Sequence, residues 1–219
     1  FCHHPRMRMR WGQLLCLGLA IVASRPCAAQ LLSGLFPEGV PGYGAAPGVT
    51  VLSRARPDVT PLGVRAGAIN LYPQLEQSVG FDSNVRGDTA ARNSWVVRTQ
   101  PSLLFGSTWS RDAIGGYVSL SDVRYANMAS QNRTDGTISL GGSLDIGRDR
   151  LTLAAAHVTQ HQDNFQPGAV LAQQPIALTL DDARTSYAAS FGRWTITPNI
   201  EAMRWRFGSA EIMGGTISQ

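Results

Sequence analysis

The chain has 219 residues, of which 43% are hydrophobic and only 16% charged, against about a quarter charged in soluble domains. It contains no lysine, and its net charge of +4 comes from Arg6, Arg8, Arg10 and Arg25, since from Gln30 onward arginines and carboxylates balance. This excess is terminal, not the clustered basic face of a nucleic-acid binder. Cys2, Cys16 and Cys27 also precede residue 30, which excludes a cysteine metal site or a disulfide framework from the rest.

In chain order, residues 1–29 read as an export signal. Arg8 to Trp11 give a basic start, LLCLGLAIVA at 14–23 gives a short apolar stretch, and small residues lead to a cleavage point after Ala29, as secretion requires. The FCHHPR stretch ahead of Met7 reads as translated sequence upstream of the native start. Residues 30–62 carry Pro37, Pro41, Pro47, Pro57 and Pro61 among glycines and polar residues, a composition that buries no core and predicts an irregular linker.

From residue 63 the period becomes two. In 67–81 Ile69, Leu71, Leu75, Val79 and Phe81 alternate with Asn70, Gln74, Glu76 and Ser78, the pattern of a half-apolar strand. It returns in 95–109 (Trp95, Val97, Leu103, Phe105 and Trp109 against Arg98, Gln100 and Ser102). In 137–147, Ile138, Leu140, Leu144 and Ile146 oppose Thr137, Ser139, Ser143 and Asp145. In 183–192, Ala183, Tyr187, Ala189 and Phe191 oppose Arg184, Ser186 and Ser190. Weaker candidates at 113–125, 151–160 and 194–207 bring the predicted strands to seven. Short polar turns at 110–112, 148–150 and 192–193 alternate with longer segments at 82–94, 122–136 and 161–182. That rhythm is the meander of an outer-membrane barrel, with short periplasmic turns and long outer loops.

The expected fold class is all-β: an antiparallel up-and-down transmembrane β-barrel whose residues 63–219 form its N-terminal part. Ten- to fifteen-residue strands suffice to cross hydrocarbon at a tilt, and aromatics at Trp95, Trp109, Phe191 and Trp194 mark strand ends where an interfacial girdle sits. An odd strand count and a GGTISQ ending without an aromatic residue suggest a sequence cut inside a larger barrel. The alternative, a soluble secreted β-domain acting as a binding module, would pack the apolar face inward.

The segment GVRAGAINLYPQLEQSVGFDSNV at 63–85 resembles the opening of the putative β-barrel porin 2 family of Gram-negative outer-membrane proteins. The resemblance lies in Gly63, Arg65, Gly67, Pro73 and the run Gly80–Val85. Pro101–Leu103, Trp109 with Arg111, and Asp145–Ile146 with Arg148 extend it over 63–207. It implies a porin-like channel in the bacterial outer membrane, with membrane lipid around it.

No nucleophile elbow, phosphate loop or dinucleotide fingerprint is present, so neither catalysis nor a cofactor is expected. His157 and His161 lie about 13 Å apart on a strand, too far to share a metal ion. Asp82 and Asn84 read as a turn, and Asp181–Asp182 as a solvated loop end whose carboxylates point to opposite sides. The charged residues assigned to the lumen are Glu76, Arg98, Arg124, Asp145, Arg184 and Glu201, where rings of charge tune the passage of solutes. The function expected is passive diffusion of small polar solutes. The alternative is an outer-membrane component of exopolysaccharide export.

Overall fold

A computed structural model describes residues 40–43, 62–89, 91–165, 172–212 and 215–217. The export signal at 1–29 and most of the 30–62 linker lie outside the described residues. The chain from 63 on forms β1 (Val64–Ala66), β2 (Ile69–Asp82), β3 (Ser94–Ser107), β4 (Ala113–Tyr125), β5 (Arg133–Ile146), β6 (Asp149–Gln162), β7 (Ile176–Phe191), β8 (Trp194–Ile196), β9 (Asn199–Phe207), β10 (Ala210–Ile212) and β11 (Gly215–Ile217). The first nine make one antiparallel sheet in which each strand pairs with the next, except that β8 and β9 both pair with β7. The sheet is open, and β10–β11 is a separate hairpin.

The seven predicted strands are all present, with corrections at their ends. Residues 133–136, 161–162 and 176–182, read as loop, belong to β5, β6 and β7, because the ladder continues past the point where large apolar side chains stop on the exposed face, while Trp109, read as a strand residue, lies beyond the end of β3. The predicted strand 194–207 is interrupted rather than lost. Ser186↔Asn199 and Ala189↔Ile196 keep one register on β7, and Pro198, which has no N–H for the ladder, separates β8 from β9.

Local chemistry explains the short connections. Two-residue hairpins at Gly67–Ala68, Gly147–Arg148 and Gly192–Arg193 join β1–β2, β5–β6 and β7–β8. In each the first residue is a glycine at positive φ, from 63° to 67°, the conformation that a type II′ turn requires at that place. At the other end, Asp82 Oδ1 accepts the Asn84 N–H at 2.9 Å and Asn84 Nδ2 donates to the Asp88 carbonyl at 3.0 Å. These two residues therefore shape a turn. Loops at this end are tied together: Asn164 Nδ2 donates to the Arg86 carbonyl at 2.8 Å, Gln131 Nε2 to the Gln173 carbonyl at 2.7 Å, and Arg133 pairs with Asp163 at 3.2 Å.

The pairing register places every strand residue on one of two faces. One rung runs Leu71, Phe105, Gly116, Leu140, Ala155, Ala183 and Ala202; the adjacent rung, on the opposite face, runs Asn70, Gly106, Gly115, Gly141, Ala154, Arg184 and Glu201. The first face is apolar, and it is the exposed one: Leu140 is 51% and Phe191 61% accessible. The second face carries most of the charged residues, serines and small residues together with some apolar ones, and several of its residues (Ser94, Val123, Ser139, Ser143, Val158, Leu180) are buried. An ordinary soluble sheet distributes these properties the other way round.

On the apolar face Phe105 lies over Gly116, its cross-strand partner. A Cβ at Gly116 would meet the Phe105 ring at 2.5 Å and the Ser139 carbonyl oxygen at 2.8 Å. Aromatic cover of a strand glycine is a register-fixing device. Gly116→Val is expected to destabilise the folded protein by about 1–3 kcal/mol, the usual range for overpacking, as measured by urea unfolding in detergent micelles.

Candidate functional site

Parity along each ladder decides where the charged residues sit. Glu76 stands opposite Gln100 on the polar face, and Arg98 lies between Ser78 and Val123 on the same face. Asp145 is there too, accepting from Arg150 Nε at 2.6 Å next to the β5–β6 turn. Arg184 and Glu201 are direct cross-strand partners, with Arg184 Nη2 to Glu201 Oε1 at 2.7 Å.

Arg124 is a correction. It shares parity with Val118 and Leu120, so it lies on the apolar face, where Asp122 holds its guanidinium at 2.6 and 2.8 Å. Its charge, not its position in the alternation, had placed it in the lumen. Asp181 and Asp182 are corrected as well. They point to opposite faces as expected, but both lie within β7 and Asp182 is buried.

The apolar face is not uniformly apolar, and its limits slant across the sheet. On β2 and β3 large apolar side chains reach the loop end at Phe81 and Trp95, which meet edge to face at 5.5 Å. On β4 and β5 they stop at Leu120 and Ile138, and Asp122, Arg124 and Thr134 lie beyond. On β6 they stop at Leu153, and only the small Ala155 and its β7 partner Ala183 continue the face. Beyond them His157 Nδ1 lies 2.6 Å from Asp181 Oδ1, and Asp181 also binds Arg206. The short-turn limit moves the same way, from Ile69 on β2 to Ile146 on β5 and Phe191 on β7. A belt of given height that crosses paired strands obliquely is the mark of strands tilted against that belt. His161 is paired elsewhere, its Nδ1 2.8 Å from Asp135 Oδ1, so the two histidines serve different carboxylates.

On the polar face one further segment is seated. The turn Val40–Tyr43, within the stretch read as an irregular linker, lies against β5, β6 and β7. Val40 is 1% and Tyr43 4% accessible. The Tyr43 hydroxyl donates to Asp182 Oδ2 at 2.7 Å, and Arg184 Nη1 donates to the Gly42 carbonyl at 3.4 Å. The Arg184 guanidinium stands 4.5 Å over the Tyr43 ring and also binds Asp182 through Nε at 3.0 Å. Arg184 thus joins Tyr43, Asp182, Glu201 and the turn backbone. A polar cavity of about 160 Å³ opens beside it, lined by Gly42, Thr152, Arg184, Ser186, Asn199 and Glu201.

Sequence reasoning missed Asp182 as a hub and Tyr43 altogether. Asp182 was within reach, since it shares parity with Arg184 two residues on. Nothing near Tyr43 in the sequence announces its partners, which are about 140 residues away. Burial pushes the Tyr43 hydroxyl well above the ordinary tyrosine range, and the hydrogen bond to Asp182 adds to it. The seated group therefore stays a neutral phenol while a released one ionises near pH 10. A raised value in the docked state stabilises docking below that pH and weakens it as pH rises further.

An antiparallel meander in which successive strands pair is the sheet pattern of the up-and-down β-barrel class. The sequence model of the family described as putative beta-barrel porin 2 matches residues 56–219, and the chain belongs to that family. No curated protein and no solved structure matches it.

Proposed function

We propose that the protein is an outer-membrane channel whose apolar face meets lipid and whose polar face lines a water-filled lumen open to small polar solutes. The observation that carries this reading is the inverted sheet: Leu140 and Phe191 are exposed on one face while serines, glycines and the Asp182–Arg184–Glu201 network occupy the other. A soluble binding module would need Leu71, Phe105, Leu140 and Phe191 in a dry centre. Because hydrocarbon satisfies no free backbone group, the strand edges of a membrane sheet must be paired, so the functional state is a closed barrel.

In that state Glu76, Arg98, Asp145, Arg184 and Glu201 bias the passage of charged solutes. Arg124 faces outward with the polar fringe near the long loops and has no such role. Export through the N-terminal signal, with cleavage after Ala29, delivers the chain across the inner membrane. Transport is passive and requires no cofactor.

The test is the purified full chain in planar bilayers, together with its gel migration before and after heating. Stepwise ohmic conductance and a heat-dependent mobility shift are the expected results. A protein that stays monomeric in buffer without detergent and gives no conductance overturns the reading. If the membrane form passes no ions but carries polysaccharide chains, dedicated export replaces diffusion.

A further inference from the structure

We propose that the Val40–Tyr43 turn is a latch, a segment of the chain's own N-terminal stretch that docks on the polar face and narrows the water path between docked and released states. The inference rests on the channel reading, and it adds an occupant and a control point to it.

The seat is shaped for this turn. The polar-face rung Gly106, Gly115, Gly141, Ala154 has no large side chain, so it forms a trough that ends at Arg184. Pro41 lies so near Gly141 that a Cβ there would fall 1.9 Å from the Pro41 carbonyl oxygen. From the other side, a Cβ on Gly42 would fall 2.7 Å from the Ala154 Cβ, and Gly42 has φ +87°. Both contacting surfaces are therefore stripped to backbone where they meet, and any larger residue at 141 evicts the turn.

The chemistry is matched as well. Tyr43 presents a donor to a carboxylate whose side chain is wholly buried and a ring to the guanidinium beside it, while the Gly42 carbonyl faces the same guanidinium. Val40 and Tyr43 give the apolar contact. These groups come from residues some 140 positions apart, so the contact is tertiary and specific.

The same features make docking reversible. Among the described residues four supply it, and its polar partners are charged groups that lumen water and ions can solvate in its place. Asp182 Oδ1 is buried without a hydrogen-bond partner, so the seat is not fully satisfied by the turn. Either of the two states can then be selected by what binds the seat.

Filling the seat tests this directly. A Cβ at Gly141 falls 1.9 Å from the Pro41 carbonyl oxygen, so Gly141→Ala in the full chain displaces the turn and leaves Asp182, Arg184 and Glu201 unchanged. In planar bilayers Gly141→Ala should conduct several-fold more than the unchanged protein. Tyr43→Phe, which keeps the ring and removes one hydrogen bond to a charged acceptor, should shift the ratio of low- to high-conductance states toward high by roughly tenfold. Heat-dependent gel migration shows that each variant is folded. Folded variants whose currents both match that of the unchanged protein overturn the latch. Absence of current from every form, the unchanged protein included, instead overturns the channel reading and the latch with it.

Discussion

On the channel reading, Leu140→Arg should lower the stability of the protein in a lipid bilayer by about 2–4 kcal/mol, the cost of an arginine on a lipid-facing strand position near mid-membrane. Leu140 stands at the middle of the rung from Leu71 to Ala202 and is exposed, so in water the same substitution would be nearly silent. The solvent around this face therefore decides the outcome. Glu76→Arg, on the polar face and open to water, should cost a small fraction of that amount. Urea unfolding in phospholipid vesicles measures both, and equal effects would remove the assignment of the two faces. Ser139, the immediate neighbour of Leu140, is not a suitable control. It is only 3% accessible, so an arginine there would have to displace its surroundings.

Asp182→Ala is the second large effect. Its carboxylate takes hydrogen bonds from Tyr43 and from Arg184 Nε, and its removal takes the charged acceptor from both, the Tyr43 hydroxyl keeping a longer contact of 3.4 Å to the main-chain oxygen of residue 182. Losing such a partner costs about 1–3 kcal/mol, moderated here because Arg184 keeps Glu201. The comparison with Asp181→Ala separates burial from charge. Asp181 is one residue away and binds both His157 and Arg206, yet it lies on the exposed face, where such pairs contribute little. Denaturant midpoints should therefore move clearly for Asp182→Ala and hardly at all for Asp181→Ala.

The period-two pattern carried most of the fold, because the two sides of each strand carry different kinds of side chain. Strand existence, turn positions and the facing of Glu76, Arg98, Asp145, Arg184 and Glu201 all follow from that alternation. Arg124 was misplaced when its charge was given more weight than its parity with Val118 and Leu120. Ends were the weakest point for a related reason. Residues 133–136 continue the ladder with polar side chains and glycine, and in 176–182 the apolar Ile176, Leu178 and Leu180 lie on the face opposite to that of Ala183 and Tyr187, so in both the run of apolar residues on the exposed face stops before the hydrogen bonds do. The seated turn was not legible at all. Its specificity resides in the emptiness of Gly141 and Ala154 and in partners distant along the chain, neither of which alters local composition.

Val97 and Arg124 are direct partners across β3 and β4, one greasy and one charged. On the channel reading, neighbours on a hydrogen-bonded rung therefore do not share a depth, and the waterline crosses the rungs. A substitution map of this protein should accordingly be drawn on vertical height rather than ladder position. On such a map a cation tolerated on β7 near Asp181 would be rejected at Val79, although Val79 sits closer to its own strand's outer end.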